Sequence, residues 1–407
     1  MNDADAAALT HWLVDAGLAG EPETELLSGL CRRARAAGLA IDRALVIVDT
    51  LHPILEGRAY RWRSDAPDEA KLFEYGPTNV GEAHQNWLRS PFYRLIERGE
   101  SMLRCRLLPD RPSEFPSLEE TRLEGMRDYV ALIHRFAAGR TIGEMDCVYS
   151  HWITGAPEGY SDRDLALLPR LSSALGLAVK AAALSRIATT LVETYLGRDA
   201  GRRVLGGRIA RGVTEKLHAV IWYSDLRSYT RISDTGRPAD LIPFLNDYAD
   251  AAISAIHGQA GDVLKLIGDG VLAIFAVDTP EAACGRALAA AEAAFRNVAA
   301  LNSRRDGEGL PTTEIYLGLH VGQMFYGNIG SADRLDFTVV GPAVNEASRI
   351  AGLCRSVEQP VLLSTAFAEA AGEAQRRRLI SVGRFALRGV QRPQELFTLD
   401  RGDESKA

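Results

Sequence analysis

Lys265-Leu266-Ile267-Gly268-Asp269-Gly270-Val271-Leu272-Ala273-Ile274-Phe275 reads as two apolar runs turned tightly through Gly-Asp-Gly, a β-hairpin signal. Its arms are Asp262–Ile267 and Val271–Val277. Before it lie a predicted strand, Leu217–Ser224, and a predicted helix, Ala239–Ile256. After it come an alanine-rich helix, Pro280–Leu301, and a strand, Thr313–His320. A second hairpin follows, with an arm from Gly322 to Leu335 closed by Phe337–Val340. A helix from Ala343, a strand at Pro360–Ser364 and a last strand near Glu395–Leu399 complete this half.

The order strand, helix, strand, strand, helix, strand predicts an α+β fold with a ferredoxin-like βαββαβ sheet. In that order the first strand lies beside the hairpin, so Asp225, at the strand's end, and Asp269, in the hairpin turn, share one sheet edge. Each alone reads as structural, a turn cap and a hairpin residue. Together they could bridge two divalent cations about 3.5–4 Å apart, the arrangement suited to in-line displacement at phosphorus. Between strand and helix, Leu226 to Thr230 can turn backbone N–H groups toward a triphosphate. Asn345 and Arg349, at i and i+4 of the helix from Ala343, share a face.

The N-terminal half begins with predicted helices at Thr10–Leu18 and Glu23–Ala37. Predicted strands follow at Ala44–Val48, Ala59–Arg63, Met102–Leu107 and Tyr129–Ile133. After a turn at Ala138-Gly139-Arg140, Gly143–Ser150 is the expected returning strand. Ser161 with Asp164 marks a capping box for a long helix. On that helix Leu177, Leu184 and Leu191 recur at seven-residue spacing, as a parallel dimer seam or as one helix's buried face. Residues 196–212, rich in Gly and Arg, read as a solvated linker.

Over 407 residues the formal charge is -6, which argues against a nucleic-acid partner. The five cysteines are far apart and read as reduced thiols rather than a disulfide framework. The acidic start Met1-Asn2-Asp3-Ala4-Asp5 does not resemble a signal peptide. The apolar run Ala174–Val192, interrupted by Lys180 and Arg186, reads as too short and too polar to span a membrane. The expectation is a cytoplasmic protein without a membrane span. His52 and His151-Trp152 could ligate a haem or small molecule, and read more simply as loop or core residues.

The C-terminal pattern, over 217 to about 399, resembles the class III nucleotide cyclases. That resemblance assigns metal binding to Asp225, Asp269 and the backbone of Leu226, with two Mg²⁺ or Mn²⁺ ions per site. Phosphate contacts fall to Ser228, Tyr229, Thr230 and Arg388, the last within Leu387-Arg388-Gly389-Val390. Ser228 replaces the family's usual glycine, and Tyr229 its phenylalanine. Lys265 and Thr338 fall at the purine-reading positions. Thr338 matches a threonine-bearing branch, some of whose members are bicarbonate-sensitive, and neither residue is the acidic acceptor guanine would need. Asn345 and Arg349 match the ribose- and transition-state-binding pair. The implied activity is conversion of ATP to 3′,5′-cyclic AMP and pyrophosphate, by a homodimer with two composite sites. The alternatives are a guanylate cyclase and a catalytically silent nucleotide-binding regulator. A diguanylate-cyclase-like enzyme lacks its Gly-Gly-Asp/Glu-Glu-Phe motif here. The N-terminal half resembles a GAF- or PAS-type sensor, most closely over residues 129–185, that would bind an unknown small molecule or only dimerise. The expected segments are a sensor at 1–168, a helical signalling linker at 169–212, a cyclase domain at 213–400 and a disordered tail at 401–407.

Overall fold

The computed structural model describes residues 1–137, 141–276, 279–388 and 393–400. The turn at 138–140, Val277, Gly389-Val390 and the tail at 401–407 lie outside the described residues. The chain divides into two compact units, Met1–Leu191 and Val192–Ala407.

The first unit opens with helices α1 (Asp3–Leu18) and α2 (Glu23–Ala36), then strands β1 (Arg43–Asp49), β2 (Gly57–Arg63) and β3 (Ala66–Tyr75). Helices α3 (Gly81–Leu88) and α4 (Pro91–Arg98), strand β4 (Met102–Arg106), helix α5 (Glu119–Leu123), and strands β5 (Asp128–Arg135) and β6 (Cys147–Thr154) follow. Helix α6 (Asp162–Leu196) comes last. The six strands form one antiparallel sheet in the order β3-β2-β1-β6-β5-β4. On one face Trp62, Trp152 and Val130 are buried together with α2 leucines and Leu168, Leu171 and Leu175 of α6. The expected capping box forms at α6: the Ser161 N–H donates to Asp164 Oδ2 at 3.1 Å and the Asp164 N–H to Ser161 Oγ at 3.3 Å. The two arginines of β4 share one task. Arg104 and Arg106 reach the fully buried carboxylate of Asp128 at 2.7 and 3.4 Å, so its charge is paired rather than stranded.

Two expectations for this unit need correction. The returning strand is Cys147–Thr154, not Gly143–Ser150. The apolar run near Ala174 belongs to a 35-residue helix, long and apolar enough by length and composition to cross a membrane, with 33% of its most apolar window buried. Of the heptad leucines, Leu184 and Leu191 pack partly against the core while Leu177 is exposed.

The second unit starts with α7 (Arg198–Leu205), so the Gly/Arg segment is not simply a solvated linker. Arg203 pairs with Asp199, one turn earlier, and with Glu215, and Ala200 is buried. Then come β7 (Thr214–Leu226), α8 (Tyr229–Thr235), α9 (Pro238–Gly258), β8 (Asp262–Ile267), β9 (Gly270–Ala276), α10 (Pro280–Gly307) and β10 (Ile315–Gly330). The unit continues with β11 (Leu335–Val340), α11 (Pro342–Val357), β12 (Val361–Ser364), α12 (Thr365–Ala370), α13 (Glu373–Arg376), β13 (Leu379–Phe385) and β14 (Gln394–Leu399).

The βαββαβ core is as expected: β10-β7-β9-β8 run side by side, all antiparallel. Helices α9 and α10 cover one face, burying Phe244, Tyr248, Leu288 and Val298 with Trp222 and Phe275, where each large side chain contributes about 1.5–3 kcal/mol. The other face buries Ile221, Leu264 and Ile274 beneath Phe337 and Val339 of β11. The separate strand and arm expected at 313–335 are one 16-residue strand, β10. Its glycines are contact points for α11. A Cβ at Gly318 would lie 2.6 Å from the Ala347 carbonyl oxygen, and one at Gly322 would lie 2.5 Å from the Ala343 Cβ.

Candidate active site

Strand β7 ends at Asp225-Leu226, and its neighbour β9 begins just after Asp269, so pairing of Ser224 with Val271 sets the two acids side by side. The turn needs both its glycines. Gly268 takes φ +61, a left-handed conformation costly for other residues. Gly270 lets the hairpin close on β7, because a Cβ there would lie 2.4 Å from the Ser224 carbonyl oxygen. The outcome is a shared donor: the Leu226 N–H lies 3.0 Å from Asp225 Oδ1 and 3.1 Å from Asp269 Oδ2.

Asp225 is an exposed residue, yet its carboxyl is poorly solvated where it faces Asp269. Its pKa is raised to about 6 by that desolvation first, then by the hydrogen bond and charge of Asp269, against the opposing Leu226 N–H. Two facing carboxylates that resist joint ionisation are what bound cations would relieve. Among the described residues no group of three His, Cys, Asp or Glu could hold a metal. Further ligands would therefore come from backbone carbonyls such as that of Leu226, from water or from a substrate phosphate. The donor set is all oxygen, which suits a hard cation such as Mg²⁺ or Mn²⁺.

The carboxylates open onto a recess of about 1070 Å³, lined also by Ser228, Tyr229 and Thr230. Ser228 has φ 58 and ψ 25 at the residue before α8, the left-handed region that glycine enters cheaply. A hydrogen-bonded chain, part-buried, holds this loop. Asn302 Nδ2 donates to the Thr313 carbonyl at 2.7 Å, the Thr313 N–H donates to Tyr248 Oη at 2.9 Å, and Thr313 Oγ1 donates to the Arg227 carbonyl at 2.5 Å.

Three cations of the same chain line the recess, Arg227, Arg231 and Arg355. Arg227 is engaged by Glu314 at 2.6 Å. Arg231 and Arg355 have no side-chain partner among the described residues and are exposed. Sequence reasoning missed both. Arg355 follows Arg349 by six positions, which places it on another side of α11.

The remaining expected residues stand elsewhere. Asn345 is exposed and Arg349 half-buried; neither side chain has a partner among the described residues, and neither lines the recess. Ala343, Ala347 and Ile350 take the inward face of α11. Arg388 is exposed beyond β13 and likewise does not line the recess. Lys265 pairs with Asp336, a residue the sequence reading passed over. Thr338 lies two residues further along β11, 7% exposed, with no side-chain partner among the described residues. His52 accepts the Ile54 N–H at 3.2 Å in its loop, and His151 stacks on Phe92 with its pKa pushed down to about 3 by burial.

Residues 213–400 match the family model of the adenylate and guanylate cyclase catalytic domain. An adenylate cyclase of Anabaena cylindrica is 31% identical over 153 residues, covering 38% of this chain and 30% of the relative. Adenylate cyclase 1 of Rhizobium meliloti is 32% identical over 166 residues, covering 40% of this chain and 24% of the relative. The chain thus spans less than a third of the length of either relative. The crystal structure of the adenylyl cyclase CyaB from P. aeruginosa superposes with a TM-score of 0.43 at 22% identity, covering 48% of this chain and all of that one.

Proposed function

We propose, from the match of residues 213–400 to the adenylate and guanylate cyclase catalytic domain, that the protein is an adenylate cyclase, converting ATP to 3′,5′-cyclic AMP and pyrophosphate. The observation that carries this reading is the convergence of Asp225 and Asp269 on one backbone N–H at the mouth of a recess large enough for a triphosphate. Asp225, Asp269 and the Leu226 backbone would hold two divalent cations. When bound, these would acidify the ribose 3′-hydroxyl and neutralise the leaving pyrophosphate. Ser228, Tyr229 and Thr230 would face the phosphates from the strand-to-helix turn, with Arg388 as a further phosphate contact.

Asn345 would orient the ribose, and Arg349, permanently charged and planar, would stabilise the reacting phosphate. Both lie outside the recess of their own chain, so their contribution fits a homodimer in which each site takes its acids from one protomer and Asn345/Arg349 from the other. Mixing Asp269→Ala and Arg349→Ala chains tests this: recovered cyclic AMP formation supports shared sites, and none in any mixture argues against them.

Lys265 donating to adenine N1 and Thr338 accepting from the 6-amino group favour ATP. The Asp336 carboxylate beside them is the acidic acceptor that guanine would use, and it gives the guanylate cyclase reading a specific footing. For the first unit we infer a GAF-like sensor of a small molecule, from its helices, six-stranded sheet, final β5–β6 hairpin and exit helix. The segment 169–212 would pass its signal on, in a cytoplasmic protein with no nucleic-acid partner.

A further inference from the structure

We propose that the recess at the uncovered edge of β10, beside the start of α11, is a binding site for a small organic carboxylate. Strand β12 pairs with Leu317–Leu319 of β10 and β11 with Phe325–Gly330, while β7 takes the opposite edge. Residues His320–Met324 therefore have no strand partner on the β11/β12 side among the described residues. A recess of about 420 Å³ opens there, lined by Lys216, His320, Met324, Phe325, Ala343 and Glu346. It shares no lining residue with the recess onto which Asp225 and Asp269 open. The two recesses share elements instead: Tyr316 of β10 and Ala351 and Arg355 of α11 line the acidic one.

The imidazole of His320, a residue only 6% exposed, turns a spare donor toward this recess. Ser364 Oγ accepts the Phe367 N–H at 3.1 Å and lies 2.9 Å from His320 Nδ1. Ser364 is fully buried, so its own hydrogen goes to that nitrogen, and the ring proton sits on Nε2. Nε2 stands 3.7 Å from Glu346 Oε2, too far for a hydrogen bond, and Gln394 Nε2 already donates to that oxygen at 3.2 Å. Two further sources of donors meet here. Lys216 is exposed and has no side-chain partner among the described residues. Helix α11 starts at Pro342 behind Gly341, without a side-chain cap, so the N–H groups of Ala343 and Val344 lack helical partners. Glu346 is the one acid among the lining residues. The balance of charge and donors favours an anion, and Met324, Phe325 and Pro342 supply a wall for its apolar body.

The test is ligand-observed NMR of benzoate, with neutral benzamide as the control, on the purified full chain without nucleotide. Benzoate should bind, and benzamide should bind about tenfold more weakly or not at all. Lys216→Ala should weaken benzoate about tenfold, the loss of one charge-assisted contact. Glu346→Gln should tighten it by about threefold or more, because a like charge is removed. His320→Asn should weaken it as well. Each variant is checked by circular dichroism, and the first two change side chains that are exposed or half-buried. No benzoate binding by wild type overturns the proposal, as does equal binding of benzamide, or benzoate affinity unchanged in any folded variant. Because nucleotide is absent and turnover is not measured, a failure of the cyclase reading would appear separately.

Discussion

Asp225 and Asp269, 44 positions apart in the chain, accept from the same backbone N–H, that of Leu226, at 3.0 and 3.1 Å. Register alone brings them together. Ser224 pairs with Val271, and the Gly270 backbone lies close against the Ser224 carbonyl.

That closeness makes Gly270 more sensitive than Gly268. Gly270→Ala should push the hairpin off β7, lowering cyclase turnover by about 100-fold, the scale of a misplacement near 1 Å. Gly268→Ala meets no atom within 4 Å and pays only the left-handed backbone cost, about 1–2 kcal/mol. Turnover and thermal melts of the two variants check this; equal activity losses would contradict it.

Arg355 lines the acidic recess without a side-chain partner among the described residues. Arg355→Ala should raise KM for ATP by roughly tenfold, the loss of one charge-assisted contact, with the melting temperature unchanged. Arg355→Lys should recover part of it. Initial-rate kinetics decide, and an unaltered KM would assign Arg355 to solvent.

Ser228 stands at φ 58 where the resemblance expected glycine. Ser228→Gly should relieve about 1 kcal/mol, part of it offset by the entropy glycine loses on folding. A β-branched residue there should destabilise instead. Calorimetry of the two variants gives the sign.

Asp49 in β1 is held up at about 7, chiefly by burial, with the Tyr75 hydrogen bond opposing and Glu56, Asp146 and Glu144 adding repulsion. The folded state therefore binds this proton more tightly than the unfolded chain. The associated stability is full below about pH 4, the unfolded value, and is lost as pH rises through about 7. Asp49→Asn should thus melt above wild type at pH 8 and close to it at pH 4, still accepting from Tyr75. An equal difference at both pH values would contradict the assignment.

The C-terminal half was legible because its signals are local. The Gly-Asp-Gly turn, the apolar alternation of β7 to β9 and the alanine-rich α10 each announce themselves within a few residues. The strand and arm expected at 313–335 are one strand, whose continuity is tertiary: Gly318 and Gly322 admit α11 to the sheet, and β10 runs through them. In the Gly/Arg segment, Asp199 and Arg203 at i and i+4 were the available sign of α7. Strand β3, with Glu and Lys in its sequence, and β13, with its irregularity between Ser381 and Gly383, lack clean alternation and were missed. The Lys265–Asp336 pair bridges 71 positions and follows from no local pattern.

The most direct test of the cyclase reading is turnover of ATP and GTP, side by side, by the purified full chain in Mg²⁺ and in Mn²⁺, with Asp269→Ala as control. The account predicts cyclic AMP and pyrophosphate from ATP in excess of any cyclic GMP, and no product from Asp269→Ala. Cyclic product undiminished in Asp269→Ala, or none from either nucleotide with either metal, would contradict it.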